Sequence, residues 1–140
     1  MVSGRMGFSS MGVIGYVAER DPIAELSAMT FNVSRARMLA LERLHAAGMV
    51  RDGCIVTSDV KAGRDPYCRE ACARMGWRFF EVKNHAKLIL MRTVGGDFHC
   101  VRTSSNLNEN PRIETYSWDN DPGMFAFYAQ LFDAVASMTA

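Results

Sequence analysis

The sequence predicts an α/β fold, a mixed β-sheet flanked by helices, and three observations carry that expectation. Short apolar runs alternate with helix-spaced segments in the first half of the chain, which argues for parallel strand pairing. In the second half, residues 87–93 (KLILMRT) and 98–103 (FHCVRT) flank the turn Gly95-Gly96-Asp97, the signature of an antiparallel β-hairpin. Three Asp-Pro pairs, Asp21-Pro22, Asp65-Pro66 and Asp121-Pro122, each mark a helix start, since Asp caps a helix and Pro suits its first position. With 140 residues and 49% hydrophobic content, the chain suits one domain over residues 1–140 with a real core.

Taken in order, residues 12–18 (GVIGYVA) read as a first strand. Asp21-Pro22 then opens a short helix through Ile23, Leu26 and Met29. A helix fits residues 34–47, ended by Gly48, and a strand fits 53–58 (GCIVTS). Asp65-Pro66 starts a helix over 66–75 that stops at Gly76, a glycine of the kind that closes helices in the left-handed conformation. Strands follow at 78–82 (RFFEV), in the hairpin, and at 112–118 (RIETYSW). The last Asp-Pro pair starts a C-terminal helix whose core stripe is Met124, Phe127, Leu131, Val135 and Met138.

Composition excludes some functions and leaves others open. Lys+Arg is 16 and Asp+Glu is 15, so the net charge of +1 selects no partner. Thirteen of the basic residues are Arg; that suits phosphate recognition, but high-GC coding produces the same bias. Cys68 and Cys72 share a helix stripe with Ala71 and Met75, and Cys54 and Cys100 fall in strands, so reduced core cysteines are expected. A zinc site from Cys68, Cys72, His99 and Cys100 lacks the tight knuckle spacing of structural zinc, and no metal or other cofactor is expected. No apolar run approaches a membrane span, and residues 1–18 make a poor secretory signal. The expectation is a cytoplasmic protein without a membrane partner.

The chemistry-bearing residues gather in the second half. Residues two apart on an extended strand point the same way, so His85 and Lys87 can converge on one ligand. Simple hairpin register puts Thr103-Ser104-Ser105-Asn106 beside them, adding hydroxyl and carboxamide donors. Glu114, on the next strand, is placed to accept a hydrogen bond from the His85 ring. Lys83, Arg92, Arg102 and Arg112 lie near this set and suit contacts to backbone phosphates, or are ordinary solvated charges. His45, in a helix, and His99, in a strand with no charged partner nearby, read as structural residues.

His85-Ala86-Lys87-Leu88-Ile89-Leu90 followed by Thr103-Ser104-Ser105-Asn106-Leu107-Asn108 resembles the His-x-Lys…Gly-Ser-x-Asn motif of the phospholipase D superfamily. The run 108–114 is similar to small phage or prophage members with a single motif copy, so the fold implied is a phospholipase D-like half domain. The resemblance covers residues 85–114 specifically. It implies that His85 is the nucleophile, that Lys87 and Asn106 hold phosphate oxygens, that Ser104 supports the site and that Glu114 holds the His85 ring. It also implies a homodimer, because the second histidine such a mechanism uses is missing from this chain. Two positions depart from the motif: Arg92 stands where the family has Asp, and Thr103 where Gly precedes the Ser.

The residue types suit a metal-independent attack on a phosphodiester. Lys87, Asn106 and hydroxyl donors neutralise the anion that would repel a nucleophile. A neutral imidazole can then form a phosphohistidine while a protonated one supplies the leaving oxygen with its proton. The expected activity is a phosphodiesterase of nuclease type acting on nucleic acid. A different class fits the same residues: a catalytically weak nucleic-acid-binding module of phage or regulatory role, which keeps the phosphate donors after losing catalytic support. In a purely structural domain the His85 set is coincidence and no phosphate binds.

Overall fold

The computed structural model describes residues 10–58, 66–84, 86–103 and 116–139. The chain runs α1 (Ser10–Arg20), β1 (Ile23–Met29), α2 (Arg35–Ala46), β2 (Gly53–Thr57), α3 (Tyr67–Met75), β3 (Arg78–Glu81), β4 (Leu88–Thr93), β5 (Phe98–Thr103), β6 (Tyr116–Asn120) and α4 (Pro122–Thr139). The six strands form one sheet in the order β3-β2-β1-β4-β5-β6. β1, β2 and β3 are mutually parallel, and β4, β5 and β6 form an antiparallel meander. The halves join where β1 pairs antiparallel with β4, from Ile23↔Thr93 to Met29↔Leu88. The mixed sheet flanked by helices is the architecture expected from the sequence.

Residues 10–29 differ from the sequence reading. Residues 12–18 lie inside α1 rather than in a strand, because Met11, Ile14, Val17 and Ala18 are buried at helical spacing. Ile23, Leu26 and Met29 belong to β1 rather than to a helix. That strand is hydrogen-bonded on both sides, and this ladder outweighs the helix preference of residues such as Ala24, Glu25, Leu26 and Ala28. The Asp21 carboxylate caps no helix. It accepts from the Gly95 N–H at 3.0 Å and so ties the β4–β5 turn to the α1–β1 junction.

The other expected elements appear close to their expected places. Ser34 caps α2 by accepting from the Arg37 N–H at 3.2 Å, a contact whose loss costs about 1 kcal/mol. Gly76 ends α3 with φ 75°, a conformation a side chain resists. Asp121 caps α4 by accepting from the N–H groups of Gly123 (2.8 Å) and Met124 (3.2 Å). β6 runs Tyr116–Asn120; residues 112–115 of the expected last strand lie outside the described residues.

Each face of the sheet carries its own core. On one, α1, α2 and α3 bury Val13, Ile14, Val17, Met38, Leu41, Ala71 and Cys72 against Ile23, Leu26, Ile55, Ile89, Met91 and Val101. On the other, α4 buries Phe132 and Val135 against Met29, Val56, Leu88, Leu90 and Cys100. The expected core stripe of α4 is corrected here. Val135 is buried and Met124 partly so, but Phe127, Leu131 and Met138 face solvent, while Phe125, Tyr128 and Phe132 pack inward. The helix is apolar on nearly every side, so spacing alone cannot choose between two adjacent stripes.

Candidate functional site

The carboxyl ends of β1, β2 and β3 point to one edge of the sheet, and Met29↔Leu88 and Leu88↔Arg102 bring the start of β4 and the end of β5 to that same edge. In open α/β sheets this carboxyl edge is where ligands bind. Lys87 stands one residue before β4 begins, and its carbonyl accepts from the Thr103 N–H at 3.1 Å. Lys87 and Thr103 therefore meet at a single rung of the ladder. Thr103 also pairs with Tyr116, so the chain on both sides of residues 104–115 is anchored at this edge. Asn84 and Ala86, the neighbours of His85, bracket it just ahead of Lys87.

His85, Ser104, Asn106, Arg112 and Glu114 lie outside the described residues. Of the other candidates, Lys83 is exposed and Lys87 half-buried. Arg102 is engaged on the α4 side of the sheet. It donates to the Ser117 hydroxyl at 2.8 Å, lies 3.8 Å from Asp119 and stacks 5.9 Å from the Tyr128 ring centre. Arg92 sits at the far end of β4, opposite Phe98, and lies 3.9 Å from Glu25. It stands five positions along the strand from Lys87, roughly 16 Å at the usual rise.

The edge also holds polar groups that the sequence reading missed. Thr30, Thr57 and Ser58, at or just beyond the ends of β1 and β2, are buried. Asn32 and Asn84 each carry a buried side-chain oxygen without a hydrogen-bond partner among the described residues; the Asn84 amide nitrogen donates to the Val82 carbonyl at 3.0 Å. An unpaired acceptor directly before His85 is unusual for a folded interior. The available signal was position: polar residues immediately after buried parallel strands.

The remaining candidates have partners of their own elsewhere in the fold. His99 faces Met91 and Asn120 towards the hairpin turn and, contrary to the sequence reading, has a charged neighbour, Asp97 at 3.9 Å. Its Nδ1 accepts from the Trp118 indole N–H at 3.0 Å, and burial holds its pKa below the usual 6.5 against the pull of Asp97. His45 bonds the Val50 carbonyl at 2.9 Å and packs edge-on against Trp77, the structural role expected. All four cysteines are free thiols. Burial pushes Cys54 and Cys100 up to about 11, and a hydrogen bond with Cys68 together with burial raises Cys72. Among the described residues no cluster of His, Cys, Asp or Glu could hold a metal, so the Cys68-Cys72-His99-Cys100 zinc set does not assemble. Nor is any described helix long and apolar enough to cross a membrane.

Fold and edge together define an α/β protein whose mixed sheet has a phospholipase D-like fold. A phospholipase D family member, Nuc, from Salmonella typhimurium superposes with a TM-score of 0.64 at 14% identity, over 89% of this chain and 85% of that one. Polyphosphate kinase from Porphyromonas gingivalis superposes with a TM-score of 0.63 at 19% identity, over 91% of this chain but only 24% of that much longer one. At these identities the likeness is one of fold. No family model and no curated protein matches the sequence.

Proposed function

We propose that the chain is a metal-independent phosphodiesterase, a nuclease that works through a phosphohistidine on His85 in a homodimeric site. The observation that carries this reading is the bond from the Thr103 N–H to the Lys87 carbonyl, at the carboxyl edge of the sheet, the edge at which open α/β sheets bind ligands. The likeness in fold to a phospholipase D family member and to polyphosphate kinase supports it. Nucleic acid is the favoured substrate because exposed Lys83 stands two residues before His85, where a backbone phosphate flanking the scissile one can reach it.

In this mechanism the neutral His85 ring attacks phosphorus, a P–N bond forms, and the P–O bond to the leaving strand breaks. The leaving oxygen takes its proton from the partner's His85. Water then gives a proton back to that ring and attacks phosphorus, breaking the P–N bond and restoring His85. Lys87 and Asn106 hold the non-bridging oxygens, where charge accumulates in both transition states. Glu114 fixes the tautomer of the attacking ring and balances its positive charge.

The test is cleavage of labelled single- and double-stranded DNA in excess EDTA. Wild type cuts, His85→Ala falls to background, and Lys87→Ala loses about 100- to 1,000-fold in rate, the usual cost of one oxyanion donor. DNA binding by wild type with no cutting in EDTA overturns the reading in favour of a nucleic-acid-binding module. The position of Arg92, remote from Lys87 and beside Glu25, argues against that alternative, since this departure from the motif does not reach the site.

A further inference from the structure

Three sulfur atoms from two helices meet on the α2–α3 side of the sheet. Cys68 and Cys72 stand four residues apart on one face of α3, and Met38 meets them from α2. The Cys68 thiol donates to Met38 Sδ at 3.5 Å, and the Cys72 thiol donates in turn to Cys68 Sγ. Met38 and Cys72 are fully buried, whereas Cys68 is half-buried and opens the group to solvent. The two thiols cannot close on each other as a disulfide. Cβ atoms four residues apart on a helix lie about 5–6 Å from each other, and a disulfide needs roughly 3.5–4.5 Å. They stay reduced while α3 is intact.

We propose that Cys68, Cys72 and Met38 form a binding site for one soft monovalent cation, Cu(I), held by two thiolates and a thioether. The donor set selects the metal. Thiolate and thioether sulfur favour Cu(I), whereas structural zinc takes four ligands of Cys, His or carboxylate type. Among the described residues no third group of that type joins the two cysteines. Glu42, on α2 like Met38, is held by the Tyr67 hydroxyl and by Arg74 at 3.0 Å. Three sulfurs bonded to one ion at about 2.3 Å lie about 4 Å from one another, so Cys68 and Met38 have to part by only about half an ångström. On loading, two S–H bonds break, two thiolate–copper bonds form, and the thioether lone pair makes the third. Both protons leave to solvent and the copper stays Cu(I), so no electron changes hands. The bound group carries one net negative charge. Arg35 and Arg74, with guanidinium carbons 5.0 and 5.4 Å from the centre of the Tyr67 ring, set positive charge beside the residue that precedes Cys68. Cysteine spacing alone does not reveal the site, because its third sulfur lies 30 residues from Cys68 on another helix.

Anaerobic titration of the full chain with Cu(I), in competition with the chelator bathocuproine disulfonate, tests the site. Wild type is expected to take one Cu(I) per chain and to melt at a higher temperature when loaded, since the ion binds the folded chain in preference. Cys68→Ser is expected to weaken binding by more than the roughly 10- to 100-fold that losing a supporting partner of a metal ligand costs. Met38→Leu, which nearly conserves volume, is expected to weaken it by about tenfold or more while the unloaded protein melts close to wild type. Cys100→Ala, in β5 beneath α4, is the control and is expected to bind as wild type does. A wild type that takes no Cu(I) from the chelator overturns the inference and leaves the three sulfurs as core packing. Wild-type affinity in Cys68→Ser or in Met38→Leu overturns it too, as does loss of binding in Cys100→Ala. Circular dichroism of each unloaded variant identifies a folding failure; Cys68→Ser, at the half-buried position, and the conservative Met38→Leu can each overturn the site without the other.

Discussion

Gly53 opens β2 where it pairs with Leu26, and a methyl group there would meet the Trp77 ring. A Cβ at this position lies 2.5 Å from Trp77 Cε3, 2.6 Å from Cδ2 and 2.8 Å from Cζ3. The ring has little room to yield, being only 5% exposed and packed edge-on against His45 at 5.5 Å between centres. Overpacking of this kind costs about 1–3 kcal/mol. The backbone preference for Ala over Gly in a strand returns about 0.5–1 kcal/mol, leaving Gly53→Ala destabilised by about 1–2 kcal/mol. Unfolding entropy of about 2.1 cal/mol/K per residue, over 140 residues, is about 0.29 kcal/mol/K, so the melting temperature should fall by about 3–7 °C. Thermal unfolding by circular dichroism measures this directly. The second arm of the cycle repeats Gly53→Ala in a Trp77→Leu background, where the flat ring is gone and the added methyl should be neutral or stabilising. A rise in melting temperature for Gly53→Ala alone, or an equal loss in both backgrounds, would refute the steric account.

Three further outcomes follow from the same structure. Arg92→Asp, which installs the residue of the motif this sequence resembles, should change the cleavage rate less than twofold because position 92 is roughly 16 Å from Lys87 along the strand; it should lower stability by up to about 1 kcal/mol by setting a carboxylate beside Glu25. The native state binds the His99 proton less readily than the unfolded chain, so His99 makes stability rise with pH up to about 6.5 and fall below it. Urea midpoints between about pH 5 and 6.5 should therefore slope less steeply in His99→Gln than in wild type. Ser34→Ala should cost about 1 kcal/mol in urea unfolding by removing the α2 cap, and Ser34→Asp should keep most of it.

The parts of the fold legible in the sequence are those with local punctuation. Ser34 and Gly48 bracket α2, Gly76 stops α3, and Gly95-Gly96-Asp97 turns the hairpin, with Gly96 at φ 101°. The exchange of strand and helix across residues 10–29 was not legible. The pairing that makes 23–29 a strand comes from residues 53–56 and 88–93, and no local pattern announces it. Asp21-Pro22 looks like the other two Asp-Pro pairs, but its carboxylate is claimed by Gly95, 74 residues away. At the site, the meeting of Lys87 with Thr103 was legible because hairpin register decides it. The buried Asn32 and Asn84 oxygens and the Asp97–His99–Trp118 contacts were not, since they arise where separate elements converge.

The joining of the sheet along β1 and β4 has a kinetic consequence. Within the meander, β4 and β5 are neighbours in sequence and close a short loop, an event of microseconds. The β1–β4 ladder unites residues 23–29 with 88–93, a contact of long sequence separation whose closure entropy must be met before it contributes. The hairpin that carries Lys87 and Thr103 can therefore form early, while the edge completed by the ends of β1 and β2 waits for the slow ladder. During refolding, secondary structure should return ahead of ligand binding, with competence at this edge among the last properties the chain acquires.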